Sequence, residues 1–106
     1  MKRPAAGMEQ PRAFVVELGP SWKRSVKHRS DIELDEINQR LVQLVGTFGK
    51  PHLHAGLGLR RLRGNVFEFR ISRGIRVVFL FFKPKRIQLM MTGNHDEVRV
   101  WLKENA

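Results

Sequence analysis

The side chains able to do chemistry gather in the second half of the chain. Residues 50–86 carry ten basic groups, Lys50, Arg60, Arg61, Arg63, Arg70, Arg73, Arg76, Lys83, Lys85 and Arg86, against one acid, Glu68. Seven of the ten are arginines, whose planar guanidinium grips phosphate or carboxylate through two hydrogen bonds where lysine offers a point charge. A solvated surface that only aids solubility usually mixes both signs. This stretch points instead to an anionic ligand.

Metal-dependent phosphodiester chemistry needs clustered carboxylates. Beyond Glu68 the next acids are Asp96 and Glu97, a poor set for a metal. His52 and His54, two apart, lack further ligands nearby and read as loop histidines. There is no phosphate-loop, nucleophile-elbow or dinucleotide fingerprint. The acids Asp31, Glu33, Asp35 and Glu36 crowd the start of a helical pattern, where the helix dipole favours negative charge, so they read as helix-start chemistry. Metal-free RNA cleavage stays open. RNA brings its own 2′-hydroxyl nucleophile, and the protein must supply a base, cations for the pentavalent phosphate and an acid for the leaving 5′-oxygen. Arg70, Arg73, Arg76 and His95 are the candidates. The plainer reading of His95 is a polar residue at a helix start, since Asn94 before it is a good cap.

These groups need elements to position them. Residues 13–18 have strand composition and end at the breaker pair Gly19-Pro20. Residues 21–29 suit a short basic helix with Trp22 and Val26 on one face. Ser30-Asp-Ile-Glu33 matches a capping box, and Leu34, Ile37, Leu41, Leu44 and Val45 then repeat at helical spacing. Gly46 or Gly49 can end that helix, and Pro51 forbids its continuation. Leu57, Leu59 and Leu62 suggest a short strand broken at Gly64-Asn65. In residues 66–71, Phe67, Phe69 and Ile71 alternate with Glu68 and Arg70, the mark of a strand with one buried face. After a turn at Ser72-Arg-Gly74, residues 75–82 are apolar on both faces except at Arg76, so this strand belongs in the middle of a sheet. A lone charge there is costly unless it reaches the surface or a partner. After the turn Lys83-Pro-Lys-Arg86, Ile87, Leu89 and Met91 alternate again. Residues 95–105, with Val98, Trp101 and Leu102, form a closing helix. The predicted class is α+β, a helical hairpin on an antiparallel sheet of four to five strands with a short C-terminal helix.

Composition sets the outer bounds. The 106 residues, 42% of them hydrophobic, suit one domain over residues 13–106 behind a tail over 1–12. There is no cysteine, hence no disulfide framework or catalytic thiol. The apolar run over residues 76–82 is too short to span a bilayer as a helix, and Lys2 and Arg3 lead into no apolar stretch, so the expected location is the cytoplasm, away from membranes. The net charge of +10 calls for an anionic partner, whether nucleic acid, an acidic protein or an anionic surface.

Four segments in register carry a resemblance: Leu59-Arg-Arg-Leu-Arg-Gly64, Val66-Phe-Glu-Phe-Arg70, Gly74-Ile-Arg-Val-Val-Phe79 and Gly93-Asn-His-Asp-Glu-Val98. Together the pattern resembles the RelE/ParE toxin superfamily across roughly residues 13–104. The resemblance implies the toxin of a bacterial toxin–antitoxin pair, bound by an acidic cognate antitoxin, with no metal and no small-molecule cofactor. RelE-like members cleave mRNA on the ribosome, and ParE-like members inhibit DNA gyrase. By position, Arg76 matches the sheet arginine that stabilises the scissile phosphate. Arg70 lies near a further basic slot, and His95 falls where the family places an Arg or His. Arg99 stands where many members have a tyrosine, and this chain has no tyrosine. An arginine can hold phosphate but is too strongly protonated for acid–base work, so an active nuclease relies on His95. Trp101, at helical spacing from Val98, reads as core. Arg60, Arg61, Arg63, Arg73, Lys83, Lys85 and Arg86 are the expected RNA- and phosphate-binding residues. The leading expectation is a ribosome-dependent mRNA endonuclease. The alternatives are a gyrase inhibitor without nuclease activity and a basic nucleic-acid-binding module without turnover. Arg76→Ala and His95→Ala are expected to abolish toxicity with the fold intact.

Overall fold

The computed structural model describes residues 14–47 and 58–105. In chain order these form β1 (Val15–Leu18), α1 (Trp22–Ser25) running into a 3-10 turn (Val26–His28), and α2 (Asp31–Thr47). Then come β2 (Arg60–Arg63), β3 (Val66–Arg70), a 3-10 turn (Ser72–Gly74), β4 (Arg76–Phe82), β5 (Arg86–Gly93) and α3 (His95–Glu104). The class is α+β, as the sequence implies. The expected tail over 1–12, His52, His54, Gly49, Pro51 and Leu57 lie outside the described residues.

The capping box at Ser30 forms as its spacing requires. The Ser30 hydroxyl accepts from the Glu33 N–H at 3.1 Å, and the Glu33 carboxylate accepts from the Ser30 N–H at 2.9 Å. That second bond holds the Glu33 carboxyl below its ordinary value, with the cations of Arg29 and Arg73 assisting against partial desolvation. The helix runs through Gly46 to Thr47, so Gly46 does not stop it.

The strands form one sheet in the order β1-β5-β4-β3-β2, with β4 in the middle. The pairs β2/β3, β3/β4 and β4/β5 are antiparallel, while β1 lies parallel to β5, with Val15 opposite Arg86 and Leu18 opposite Leu89. The sheet is therefore mixed. Parallel neighbours need a long crossover, and here the chain passes through α1, α2 and three more strands before β5 is laid down.

Each face of the sheet carries its own core. On one face Ile37 and Leu44 of α2 pack on Phe69, Val77, Phe79, Ile87 and Leu89. Phe69, Val77, Phe79, Leu44 and Ile87 are fully buried, each worth about 1.5–3 kcal/mol of transfer free energy. On the other face α3 sets Val98 against Val78 and Met91, with Leu62, Val66, Met90, Trp101 and Leu102 partly buried around this cluster. A bulge makes the second core possible. Val78 pairs with Met91 but the next residue, Phe79, pairs with Leu89, so Met90 is an extra residue. The expected alternation of Ile87, Leu89 and Met91 on one face breaks there, and Met91 turns toward α3.

α3 starts on a second capping box. The Asn94 side chain accepts from the Glu97 N–H at 2.9 Å, and the Glu97 carboxylate accepts from the Asn94 N–H at 2.7 Å. At the far end of α3 the Arg63 guanidinium donates to the Leu102 carbonyl. The β3–β4 turn is tied to α2, where Glu36 accepts from both the N–H and the hydroxyl of Ser72, at 2.9 and 2.8 Å.

Candidate functional site

Strand register assembles the site. Arg70 on β3 pairs with Arg76 on β4, and Arg76 pairs with Gly93 on β5. Directly opposed residues share a face. Arg76 lies two residues before Val78, so this row sits on the α3 face, at the end of the sheet where α3 begins. His95, the exposed first residue of α3, follows Gly93 by two positions. Arg70 and Arg76 thus share one row of one face, and His95 follows the end of that row in the chain. Thr92 steadies the row by donating its hydroxyl to the Arg76 carbonyl at 2.9 Å.

A cleft of about 160 Å³ opens beside this row, lined by Gly58, Leu59, Arg60, Glu68, Arg70 and Arg76. Gly58 takes a left-handed conformation, φ 63°, and a Cβ there would stand 3.0 Å from Arg70 Nε. A side chain at position 58 would therefore push on the Arg70 arm as well as strain the backbone.

Glu68 lies one strand step inward and is the residue that reasoning from sequence passed over. It is 2% exposed. Its Oε2 stands 3.4 Å from Arg76 Nε and 3.5 Å from Arg60 Nε, while among the described residues its Oε1 accepts no hydrogen bond. The contact with Arg76 is an ion pair without an aligned hydrogen bond. The two cations differ in freedom, the Arg76 side chain being 15% exposed and that of Arg60 63%. A buried carboxylate is tolerated only when paired, and Arg76 answers both its own cost in an apolar strand and that of Glu68. The signal was present: Glu68 is the sole acid of the basic stretch and shares strand parity with Arg70.

The other predicted residues disperse. Arg99 is exposed one helical turn beyond His95, on the same flank of α3, beside a groove of about 500 Å³ that Asp96, Val100, Leu102 and Lys103 also line. Arg61 donates to the Gly64 carbonyl at 2.7 Å, so both it and Arg63 are engaged in turn and helix-end contacts. Arg73 sits in the turn between Arg70 and Arg76, exposed and at φ 64°, a strained angle for a residue other than glycine. Lys83, Lys85 and Arg86 lie at the opposite end of β4, about 20 Å away at the usual rise per residue. There Lys85 lies 5.4 Å from the Phe14 ring centre, and Arg86 lies 4.3 Å from that of Phe82 and 3.5 Å from Glu17. The basic side chains therefore occupy two ends of the sheet.

In chemical terms, the Arg60–Arg70–Arg76 end offers guanidinium groups to a phosphodiester, with an imidazole on the adjoining rim. Among the described residues no three His, Asp or Glu side chains gather so as to hold a metal ion. No helix among them is long and apolar enough to cross a membrane.

Neither protein-family models nor curated protein sequences give a match to this chain. Solved structures do. A chain of the Escherichia coli DinJ–YafQ toxin–antitoxin complex matches with a TM-score of 0.65 at 14% identity, over 81% of this chain and 97% of that one. E. coli toxin RelE in the free state, carrying two arginine-to-alanine substitutions, matches with a TM-score of 0.64 at 13% identity, over 84% and 90%. A chain of the RelB–RelE antitoxin–toxin complex from Methanococcus jannaschii matches with a TM-score of 0.61 at 10% identity, over 80% and 96%. The chain has the RelE-like toxin fold.

Proposed function

We propose that this chain is the toxin of a type II toxin–antitoxin system, a metal-independent, ribosome-dependent mRNA endonuclease that arrests translation. The observation that carries the reading is the cross-strand pair Arg70–Arg76 beside Gly93, which brings two guanidinium groups to the end of the sheet from which His95 starts α3. The RelE-like fold and the net charge of +10 support it.

In this mechanism the mRNA supplies the nucleophile, its own 2′-hydroxyl, whose proton passes to solvent water as the 2′-oxygen bonds to phosphorus and the bond to the 5′-oxygen breaks. Arg76 binds the scissile phosphate and stabilises the charge that grows on its non-bridging oxygens as the 2′-oxygen attacks. Arg70 and Arg60 hold the same or the flanking phosphate and fix the in-line geometry. His95 gives a proton to the leaving 5′-oxygen. Arg99 contacts the backbone from the α3 flank as a cation. The 2′,3′-cyclic phosphate and a 5′-hydroxyl are the products. An acidic antitoxin binds the basic chain and keeps it silent, as RelB and DinJ accompany the toxins in the neighbouring complexes.

Induced expression followed by mapping of transcript ends tests this. Growth arrest with new 5′ ends inside coding regions, lost in His95→Ala, is the expected outcome. Growth arrest with intact transcripts and loss of gyrase supercoiling would replace it with the gyrase-directed alternative.

A further inference from the structure

We propose that Glu68 is the positioning residue for Arg76: it takes the Nε edge of the guanidinium and so aims the two terminal nitrogens at the scissile phosphate. This inference rests on the nuclease reading above, and concerns a residue that touches neither substrate nor leaving group.

Three observations carry it. Glu68 is almost fully buried in the α3 face of the sheet, on the strand between β2 and β4, among the residues that line the cleft. Its Oε2 stands 3.4 Å from Arg76 Nε, the inner nitrogen, as an ion pair without an aligned hydrogen bond. The guanidinium carries five N–H donors, and a carboxylate on its Nε side leaves the terminal pair, with the geometry that matches two phosphate oxygens, for a ligand. Finally, the same Oε2 is shared with Arg60, whose arm is 63% exposed against 15% for Arg76. The exposed partner is free to leave the carboxylate for an arriving phosphate, and Glu68 then belongs to Arg76 alone. An arginine held this way has already lost its rotamer freedom before substrate binds, which is the condition for differential stabilisation of a transition state.

The carboxylate also sets the local charge. Arg60, Arg70 and Arg76 against Glu68 leave an excess of positive charge at the cleft. Removing the negative group strengthens attraction for RNA while releasing Arg76 from its alignment. Binding and turnover should therefore move in opposite senses.

The test uses the full chain acting on ribosomes programmed with a defined mRNA. Glu68→Gln should lower kcat about 10–100-fold, the usual effect of disturbing a group that orients a reacting one, with KM unchanged or lower. In an Arg76→Ala background the same substitution should cause no further fall. A readout independent of cleavage is the Arg76 Nε–H resonance in a 15N-labelled chain. In the wild type it should exchange with water more slowly than that of Arg70, and Glu68→Gln should shift and speed it. The wild-type comparison stands even if the variant fails to fold. A wild-type chain that cuts no mRNA overturns the nuclease reading. An active wild type whose Glu68→Gln variant keeps full kcat, or whose Arg76 and Arg70 resonances exchange alike, overturns the positioning role.

Discussion

Arg76→Ala should weaken the fold as well as the chemistry, by separable amounts. Glu68 is 2% exposed, and its only cationic contacts are Arg76 at 3.4 Å and Arg60 at 3.5 Å among the described residues. Stripping a buried ion of its sole partner costs about 3–5 kcal/mol. Here Arg60 stays, on a largely exposed arm, so the loss should fall to about 1–3 kcal/mol, the range for a buried polar group deprived of one partner. The expectation from sequence is that Arg76 can be removed with the fold intact; the buried Glu68 adds to it a measurable loss of stability. That expectation considered apolar packing alone and missed the buried carboxylate. Urea denaturation followed by circular dichroism measures the effect as a fall in midpoint at constant slope. The double variant Arg76→Ala/Glu68→Gln removes the orphaned charge and should regain most of the lost stability. Neither variant should regain cleavage, which should fall about 10²–10³-fold with the loss of one oriented donor. A single variant as stable as the wild type, or a double variant less stable than the single, would refute the reasoning.

Other perturbations separate the parts further. His95→Ala should reduce mRNA cleavage at least about 100-fold while leaving the melting temperature unchanged, because His95 is exposed and the helix start is capped by Asn94 and Glu97. Asn94→Ala removes that cap and should lower stability by about 1 kcal/mol in chemical denaturation. Glu33 has its carboxyl held below the ordinary value by the Ser30 N–H, so its contribution is full above the ordinary carboxylate range and is lost as pH falls through the lowered value. Thermal melts of wild type and Glu33→Gln should therefore differ at pH 7 and converge in acid.

Much of this architecture can be read from local pattern, because local physics decides it. The Ser30–Glu33 spacing makes its two hydrogen bonds, the Phe67/Phe69 alternation buries Phe69 and half-buries Phe67 in β3, and the apolar β4 takes the middle of the sheet. Strand direction is another matter: a period of two looks the same in either sense, and β1 lies parallel to β5. The bulge at Met90 was hidden because Met90 and Met91 are both apolar, so one extra residue leaves no mark on the pattern. At the site, the placement of Arg70 and Arg76 followed from two strands joined by a short turn. The wider basic list did not hold together, because closeness in sequence runs along β4 and carries Lys83, Lys85 and Arg86 to its far end. Glu68 read as a solvent-facing member of an alternating strand. Only the long-range approach of Arg60 and Arg76 makes its burial possible, and no local pattern encodes that.

The most direct measurement is primer extension on ribosomes halted at a defined codon, with purified chain added and the mRNA ends read at nucleotide resolution. One cut within the codon in the ribosomal A site is expected, leaving a 2′,3′-cyclic phosphate, absent with His95→Ala and absent when the same mRNA is offered without ribosomes. Uncut mRNA on the ribosome, or equal cutting of naked mRNA, would contradict it.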